Sequence, residues 1–213
     1  MKKLLLLGLI AYGAYQSYQK GFPGFPSMGI FGNKHTSSVI LFVGPGCGQH
    51  CDRIRDLLAE RHVRFNEIDV AGPDGEPIPN QYEVNQFPVT MIGSRRILGD
   101  DMPLIFSVLA ETYGKDVLTH SEQIAMTGHF DSKGQPRIVM YGASWCPICR
   151  QEKNFFEANN IEYENIDVEA SEAGLQSYQI LKGTGYPLTY VGYRRISGFN
   201  EQKIREAIKD LDL

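Results

Sequence analysis

The sequence has no excess of basic residues, and it has few cysteines. Its 213 residues include 21 Lys and Arg against 25 Asp and Glu, so the net charge is −4. No basic patch therefore points to a nucleic-acid partner. Four cysteines in a chain of this size do not make a disulfide-held scaffold. The apolar content of 42% is typical of a globular protein, and the length fits one or two domains.

The N-terminal apolar run is too short for an ordinary membrane-spanning helix. It extends from Leu4 to Tyr15 after two lysines, whereas a spanning helix needs about 20 residues. The pattern is typical of a signal peptide, with a weak cleavage site at Ala11-Tyr12-Gly13. We interpret residues 1–18 as a signal peptide or an uncleaved membrane anchor, and a core helix is the alternative. Export would place the rest of the chain in the periplasm or on the outer face of the inner membrane, with membrane contact only through this segment.

Residues 19–36 are rich in glycine, proline and phenylalanine and show no sustained hydrophobic period. Two Phe-Pro pairs disfavour helix at Phe22 and Phe25, because proline restricts the residue before it. We interpret this segment as a linker.

Residues 37–213 contain an internal sequence repeat. Setting Ile40 against Ile138 aligns Cys51 with Cys149 and the run FNEIDV with YENIDV. After one added residue, FPVT falls on YPLT and GSRRILG falls on GYRRISG. Ordered matches of this kind indicate an internal repeat. We infer homologous domains at residues 37–118 and 135–213, joined by a polar, glycine-bearing connector at residues 119–134.

Each unit has the pattern of an α/β domain with the order β-α-β-α-β-β-α. The runs SVILFVG and RIVMYG are short β-rich strands that end at glycine. Two strands joined by a helix should be parallel with a right-handed crossover, and the last two strands, joined by a glycine turn, antiparallel. A polar helix is expected at about Glu172 to Leu181, and a last helix capped by Asn200. Side chains expected on one helix face are Ile148, Phe155 and Phe156 in the first helix of unit two, and Ile204, Ala207, Ile208 and Leu211 in its last helix.

The cysteines occupy the same point in both units, directly after the first strand. Cys146 and Cys149 form a C-P-x-C motif, whereas Cys47 and Cys51 have the spacing C-x3-C. Each pair is a redox pair, a structural disulfide or part of a metal site. A purely structural disulfide would not explain why a cysteine pair occurs at the same point in both copies of the repeat.

The second unit resembles the glutaredoxin family, within the thioredoxin fold. The resemblance rests on the run WCPIC after a strand, a second strand ending in Asp-Val, the run YPLT and the turn SGFN. It covers nearly all of unit two and unit one more loosely, and it implies two tandem thioredoxin-fold domains. It also implies a cis peptide bond between Tyr186 and Pro187, packed against the cysteine pair. The backbone of Tyr186 would then pair with an extended substrate peptide.

In this arrangement Cys146 lies where a strand turns into a helix. Helix N-termini carry unpaired N–H groups and about half a positive charge, and both favour the thiolate that attacks disulfides. Pro147 suits the first helical turn, where a missing N–H has no cost. We therefore expect Cys146 to attack and Cys149 to resolve the mixed disulfide. Trp145 is expected to contact substrate beside the sulfur.

In unit one the corresponding substrate-binding residues are Phe87 and Pro88. Alignment without a gap puts Gly48 opposite Cys146 and Cys51 opposite Cys149. Helical residues four apart have Cα atoms about 6 Å apart, so Cys47 and Cys51 can form a disulfide. This pair is redox-active, structural or, with His50, metal-binding. Since no fourth ligand is near in sequence, we assign no metal site.

The expected function is thiol–disulfide oxidoreductase, with unit two as the main active site and protein disulfides or dithiols as substrates. A thioredoxin-like protein is a candidate electron donor, and either direction of electron flow is open. No dissociable cofactor is expected. Glutathione would need basic partners, which GASW lacks before Cys146, although Lys182 or Arg194 could substitute. The alternatives are a redox-inert peptide- or metal-binding module and iron–sulfur cluster carriage, which Pro147 disfavours.

Overall fold

The structure, a computed structural model, describes residues 39–71, 86–209 and 211. The segments interpreted as a signal peptide or anchor, residues 1–18, and as a linker, residues 19–36, lie outside the described residues and stay predictions. The described part of the first half consists of β1 (Val39–Val43), α1 (Gly48–Glu60), β2 (Phe65–Asp69), β3 (Val89–Ile92), β4 (Arg95–Leu98) and α2 (Met102–Tyr113). A short helix α3 (His120–Ala125) follows, flanked by 3-10 turns at Lys115–Val117 and Thr127–His129. The second half consists of β5 (Ile138–Gly142), α4 (Pro147–Ala158), β6 (Glu164–Asp167), α5 (Glu172–Ile180), β7 (Leu188–Val191), β8 (Arg194–Ser197) and α6 (Glu201–Ile208).

Each half forms one four-stranded mixed sheet, with the strand orders β2-β1-β3-β4 and β6-β5-β7-β8. The first two strands of each half are parallel and the last two antiparallel, as the pattern predicted, and the first strand of each half is also antiparallel to the third. Thr90 of β3 lies opposite Leu41 of β1, and Thr189 of β7 lies opposite Met140 of β5. The two sheets therefore have the same register at the strand next to the cysteine-bearing helix.

Helices α4 and α6 of the second half cover one face of their sheet. Phe155 and Phe156 of α4 and Ile204 and Ala207 of α6 are buried, together with Met140 and Val191 from the sheet. Asn200 caps α6, since its side chain accepts the N–H of Lys203 at 2.9 Å. The expectation that Ile148 shares the buried face of α4 was wrong. Ile148 is 42% exposed, because it lies in the first turn beside the cysteine pair rather than over the sheet.

The two halves pack together rather than standing apart. Helix α2 buries a continuous run, Ile105 to Ala110, and its Ser107 hydroxyl donates to the carbonyl of Tyr193 at 2.6 Å. The same hydroxyl accepts the backbone N–H of Arg195 at 3.0 Å, so α2 of the first half bonds to β8 of the second. One apolar cluster contains side chains from both sheets. Residues Ser37–Leu213 consequently form one compact unit.

The segment predicted as a connector contains an ordered helix. Thr119 and Glu122 form a reciprocal capping box at the start of α3. Glu122 also forms a buried ion pair with Arg61, which directly follows α1. Buried His129 bonds to the Tyr141 hydroxyl at 2.9 Å, and burial lowers its pKa to about 4. The connector thus contacts both halves through buried polar groups.

Within residues 39–71, 86–209 and 211, no helix combines the length and the apolar character needed to cross a bilayer.

A chain that begins at Ser37 is expected to fold and stay soluble, because residues Ser37–Leu213 form one compact unit. Expression of residues 37–213, with circular dichroism and gel filtration, tests this expectation. The full chain in detergent is the reference for the unfolding transition. Aggregation of the shorter chain, or loss of its cooperative transition, would show that residues 1–36 are part of the folded core.

Candidate functional site

Both cysteine pairs lie at the start of the helix that follows the first strand of each half. Cys146 and Cys149 are joined by a disulfide, with their Cα atoms 5.3 Å apart. Cys47 and Cys51 are also joined, with their Cα atoms 5.5 Å apart. The repeat predicted from sequence therefore brings two disulfides to equivalent places on two sheets.

Cys146 is the N-cap residue of α4. Its backbone is extended, and its Sγ accepts the backbone N–H of Cys149 at 3.0 Å. Pro147 takes the first helical position, where proline is well tolerated. Once the disulfide is reduced, this N–H and the positive end of the helix would stabilise negative charge on Cys146. The geometry suits the attacking sulfur of a disulfide-exchange reaction.

Cys47 takes the equivalent position before α1, which corrects the sequence alignment. That alignment placed Gly48 opposite Cys146, but the structure makes Cys47 the residue before the helix. Gly48 accommodates the extra residue of C-x3-C at a φ of 37°, in a region that favours glycine. Cys47 itself has helical dihedral angles, and its side chain accepts no capping hydrogen bond. The first pair therefore lacks the N–H donor that the second pair has.

The second cysteine of each pair is almost completely buried. Cys51 and Cys149 are each 1% exposed. A Cβ atom at Gly142, where β5 ends, would lie 3.0 Å from the Sγ of Cys149, so glycine leaves space for this sulfur. At Gly44, directly after β1, an added Cβ would lie 2.5 Å from the ring of Phe87.

Each half contains a cis proline. The Tyr186–Pro187 bond is cis, as the resemblance implied, and so is the Phe87–Pro88 bond. The carbonyls of Pro187 and Pro88 accept the N–H groups of Gly198 and Gly99 at 2.8 and 2.9 Å. Both prolines are buried, and each directly precedes the third strand of its half.

Of the predicted substrate-contacting residues of the second half, Trp145 and Tyr186 contact each other, whereas Pro187 is buried. Trp145 is 61% exposed, and its ring meets that of Tyr186 edge-on with centroids 6.1 Å apart. Its indole Nε1–H donates to both carboxylate oxygens of Glu169, at 3.0 and 2.9 Å. Glu169 was not predicted from the sequence, and only its position after the Asp-Val end of β6 signals it. Two aromatic rings, those of Trp145 and Tyr186, therefore line the site, and the Glu169 carboxylate orients the indole of Trp145.

His50 and Arg194, which were considered for metal and glutathione binding, each contact an acidic side chain. His50 Nδ1 lies 3.0 Å from an Asp100 oxygen that Arg53 also contacts. Among the described residues, no group of three or more His, Cys, Asp or Glu side chains is placed to hold a metal ion. Arg194 pairs with Glu111 at 2.9 Å, whereas Lys182 is exposed.

A buried carboxyl lies under the second pair and was missed by sequence reasoning. Glu152 of α4 is 0% exposed, and the hydroxyl of Thr189 donates to it at 2.5 Å. Burial raises the pKa of Glu152 to about 7, although the Thr189 hydrogen bond lowers it. The available signal was an acidic residue on the helix face that also carries Cys149 and Phe156.

Comparison with known proteins locates the likeness in the second half. The glutaredoxin family model matches residues 138–196, which include Cys146, Cys149 and Pro187. This match indicates thiol oxidoreductase-type chemistry in general terms. Comparison with curated proteins yields no significant match.

Solved structures of glutaredoxins are similar to part of the chain. The glutaredoxin (grx-1) from Archaeoglobus fulgidus is 28% identical over 36% of this chain and 90% of its own, with a TM-score of 0.31. The glutaredoxin from Methanosarcina mazei Go1 is 20% identical over 37% of this chain and 95% of its own, with a TM-score of 0.30. Glutaredoxin C1 from Populus tremula x tremuloides, in its holo form, is 18% identical over 44% of this chain and 90% of its own, with a TM-score of 0.33.

Proposed function

We propose that the protein is a thiol–disulfide oxidoreductase with two tandem glutaredoxin-like domains, of which the second carries the main active site. The observation that carries the proposal is the hydrogen bond from the Cys149 N–H to the Sγ of Cys146 at the start of α4. It lies within the segment that matches the glutaredoxin family model. The exposed ring of Trp145 and the half-buried ring of Tyr186 beside this pair provide a surface for a protein substrate.

The proposed reaction is a two-electron exchange between dithiol and disulfide. The Cys146 thiolate attacks one sulfur of a substrate disulfide and releases the other as a thiolate, which takes a proton from solvent. Cys149 then attacks Cys146 in the mixed disulfide and releases the second substrate sulfur. The substrate gains two electrons, and the pair becomes the Cys146–Cys149 disulfide. The reverse sequence oxidises a dithiol substrate.

The proposal extends to partners and location. Substrates are protein disulfides or dithiols, a thioredoxin-like protein is the electron donor, and no dissociable cofactor takes part. The N-terminal pattern of two lysines and an apolar run supports export, with the domains in the periplasm or on the outer face of the inner membrane. The pair at Cys47 and Cys51 would relay electrons or stabilise the first domain.

In the fully reduced chain, Cys146 is expected to alkylate about ten-fold faster than Cys47 at neutral pH. Cys146 and Cys47 are 4% and 5% exposed, so access is matched and the thiolate fraction decides the rate. Only Cys146 receives an N–H, and a hydrogen bond to a charged acceptor contributes about 1.5–3 kcal/mol, which is about ten-fold or more. Limited alkylation followed by mass spectrometry gives the four rates.

The same reduced chain, mixed with a peptide disulfide, shows whether either pair exchanges. Oxidation of the Cys146–Cys149 pair with release of peptide thiol supports the proposed function. If neither pair oxidises, the chain is a redox-inert binding module. If Cys47 alkylates fastest, the first domain is the primary site and the ranking of the domains is reversed.

A further inference from the structure

Glu152 is buried although it has only one hydrogen-bond partner. Its Oε1 accepts the Thr189 hydroxyl at 2.5 Å, and Oε2 has no partner among the described residues. Transferring a carboxylate from water to an apolar interior costs several kcal/mol unless its oxygens are satisfied. A half-satisfied carboxyl in the core therefore needs a reason beyond packing.

The first half shows that the fold does not require this carboxyl. Ile54 follows Cys51 by the same three positions that separate Glu152 from Cys149, and it is also 0% exposed. Thr90 holds the register position of Thr189, and its Oγ1 has no hydrogen-bond partner within the described residues. Isoleucine thus fills the place of Glu152, and the threonine opposite is left unpaired. The Glu152 carboxyl thus occurs in the second half, where the Sγ of Cys146 accepts a backbone N–H.

Glu152 lies one helical turn after Cys149 on the same buried face of α4. Helical residues three apart have Cβ atoms about 5–6 Å apart, and helical side chains tilt toward the N-terminus. By this geometry Glu152 and Cys149 are neighbours on the buried face of α4. Cys149 is 1% exposed, so solvent has poor access to its thiol in the reduced protein. A thiol buried in apolar surroundings is also harder to ionise than an exposed one.

We propose that Glu152 accepts the proton of Cys149 when Cys149 resolves the mixed disulfide, an inference that rests on the proposed disulfide exchange. The Cys149 thiol transfers its proton to the Glu152 carboxylate, and the resulting thiolate attacks the Sγ of Cys146. The Cys146–Cys149 bond forms, and the bond between Cys146 and the substrate sulfur breaks. That sulfur leaves as a thiolate and takes a proton from solvent, while Glu152 later returns its proton to water.

Few ionisable groups surround Glu152 on this face of the sheet. Tyr163, before β6, has a pKa raised by its burial and further by the charges of Glu157 and Glu152. Arg205 of α6 lies over the ring of Phe155 and pairs with Glu201. The sheet supplies Met140, Thr189 and Val191, none of which titrates. Cys149 is therefore the thiol that Glu152 serves, and a Glu152 pKa of about 7 lets the carboxyl take up and release a proton near neutral pH.

The test uses the reduced full chain with Cys47 and Cys51 both changed to serine, so that only Cys146 and Cys149 can react with a disulfide. A chromogenic aryl disulfide releases one coloured thiolate when Cys146 attacks and a second when Cys149 resolves. In this chain the second phase should accelerate as the pH rises through about 7 and then level off. Glu152→Gln should slow the second phase by about a hundred-fold at neutral pH, the lower end of what a positioned base contributes. The levelling near neutral pH should disappear, while the first phase keeps its rate.

Two further variants separate proton transfer from a structural effect. Glu157→Gln removes an exposed carboxylate from the same helix and should leave both phases and their pH profiles as they were. Thr189→Val removes a hydrogen bond that lowers the pKa of Glu152, so the bend in the second phase should move to higher pH. This variant keeps the carboxyl and remains informative if Glu152→Gln fails to fold.

The outcomes separate the role of Glu152 from the proposed disulfide exchange by Cys146 and Cys149. A normal first phase with an unchanged second phase in Glu152→Gln would overturn the role of Glu152 and leave the proposed function standing. An unmoved bend in Thr189→Val would overturn that role as well. Absence of the first phase in the parent chain would show that Cys146 does not attack disulfides, and the proposed function would fall together with the inference.

Discussion

Replacing Cys146 by serine is expected to abolish disulfide reduction, a loss of at least about a thousand-fold. A serine hydroxyl does not ionise at neutral pH, so the N–H that Cys149 directs at this position has no anion to stabilise. Cys149→Ser should behave differently, because the attack by Cys146 remains possible while the resolving sulfur is gone. That variant is expected to accumulate as a mixed disulfide with its substrate. Turnover of a peptide disulfide and mass spectrometry of the trapped adduct measure the two effects.

The equivalent pair of the first half is the matched comparison. Changing Cys47 and Cys51 to serine removes the whole equivalent pair on the other sheet. Most activity on a small disulfide should remain, because the second half has its own complete pair. A loss confined to the physiological donor or substrate would indicate a relay between the halves, since tethering raises their effective concentration for each other. Normal turnover by Cys146→Ser would rule out Cys146 as the nucleophile.

Most of the order of strands and helices along the chain could be predicted from the sequence because the two copies of the repeat show the same pattern. The short strands β1 and β5, which end at Val43 and Gly142, and the prolines before β3 and β7 occur at matching places in both halves. A pattern found twice constrains the sheet more than either copy alone. The parallel and antiparallel pairings followed from connection length, which is a property of the chain rather than of its packing.

The start of α1 could not be predicted from the alignment. Three residues separate Cys47 from Cys51, whereas two separate Cys146 from Cys149, so one residue of the first half has no counterpart in the second. The sequence does not say where the extra residue is accommodated. In the structure Gly48 takes it at a positive φ, and Cys47 rather than Gly48 precedes the helix. Such a choice depends on backbone geometry at a single glycine. The two pairs are therefore equivalent in position and different in hydrogen bonding.

The contact between the halves was also missed, although its signal was present. The segment PLIFSVLA of α2 is apolar over nearly its whole circumference, which is typical of a helix buried on more than one side. Ser107 in the middle of this run bonds to β8, a partner that only the folded structure reveals. Likewise, Thr119 and Glu122 have the spacing of a capping box, and this spacing predicts a helix in the connector.

Replacing Arg61 by methionine is expected to lower the free energy of unfolding by about 3–5 kcal/mol, because it leaves a buried carboxylate without its cation. The guanidinium of Arg61 donates to both oxygens of Glu122, at 2.7 and 2.8 Å, and to the carbonyl of Val117 at 2.7 Å. Each of the two side chains is 8% exposed, so water does not replace the lost partner. The pair connects the end of α1 to α3, and its loss should loosen the contact between the first half and the connector. Urea unfolding followed by circular dichroism measures the change.

The control and the pH dependence of this effect follow from the same ion pair. Arg55→Met removes an exposed pair with Glu67 and should cost about 0–1 kcal/mol, as surface ion pairs do. Burial raises the pKa of Glu122, but the hydrogen bonds from Arg61 and Thr119 outweigh burial and hold that pKa below its ordinary value. The pair therefore stabilises the native protein above the ordinary carboxyl range, and this contribution is lost as the pH falls through the lowered pKa. Without Arg61, burial dominates, so the deficit of Arg61→Met should be largest at about pH 7 and shrink toward about pH 4 as Glu122 takes up a proton. Equal losses in Arg61→Met and Arg55→Met, or a deficit that does not change with pH, would show that the buried pair does not hold α1 to α3.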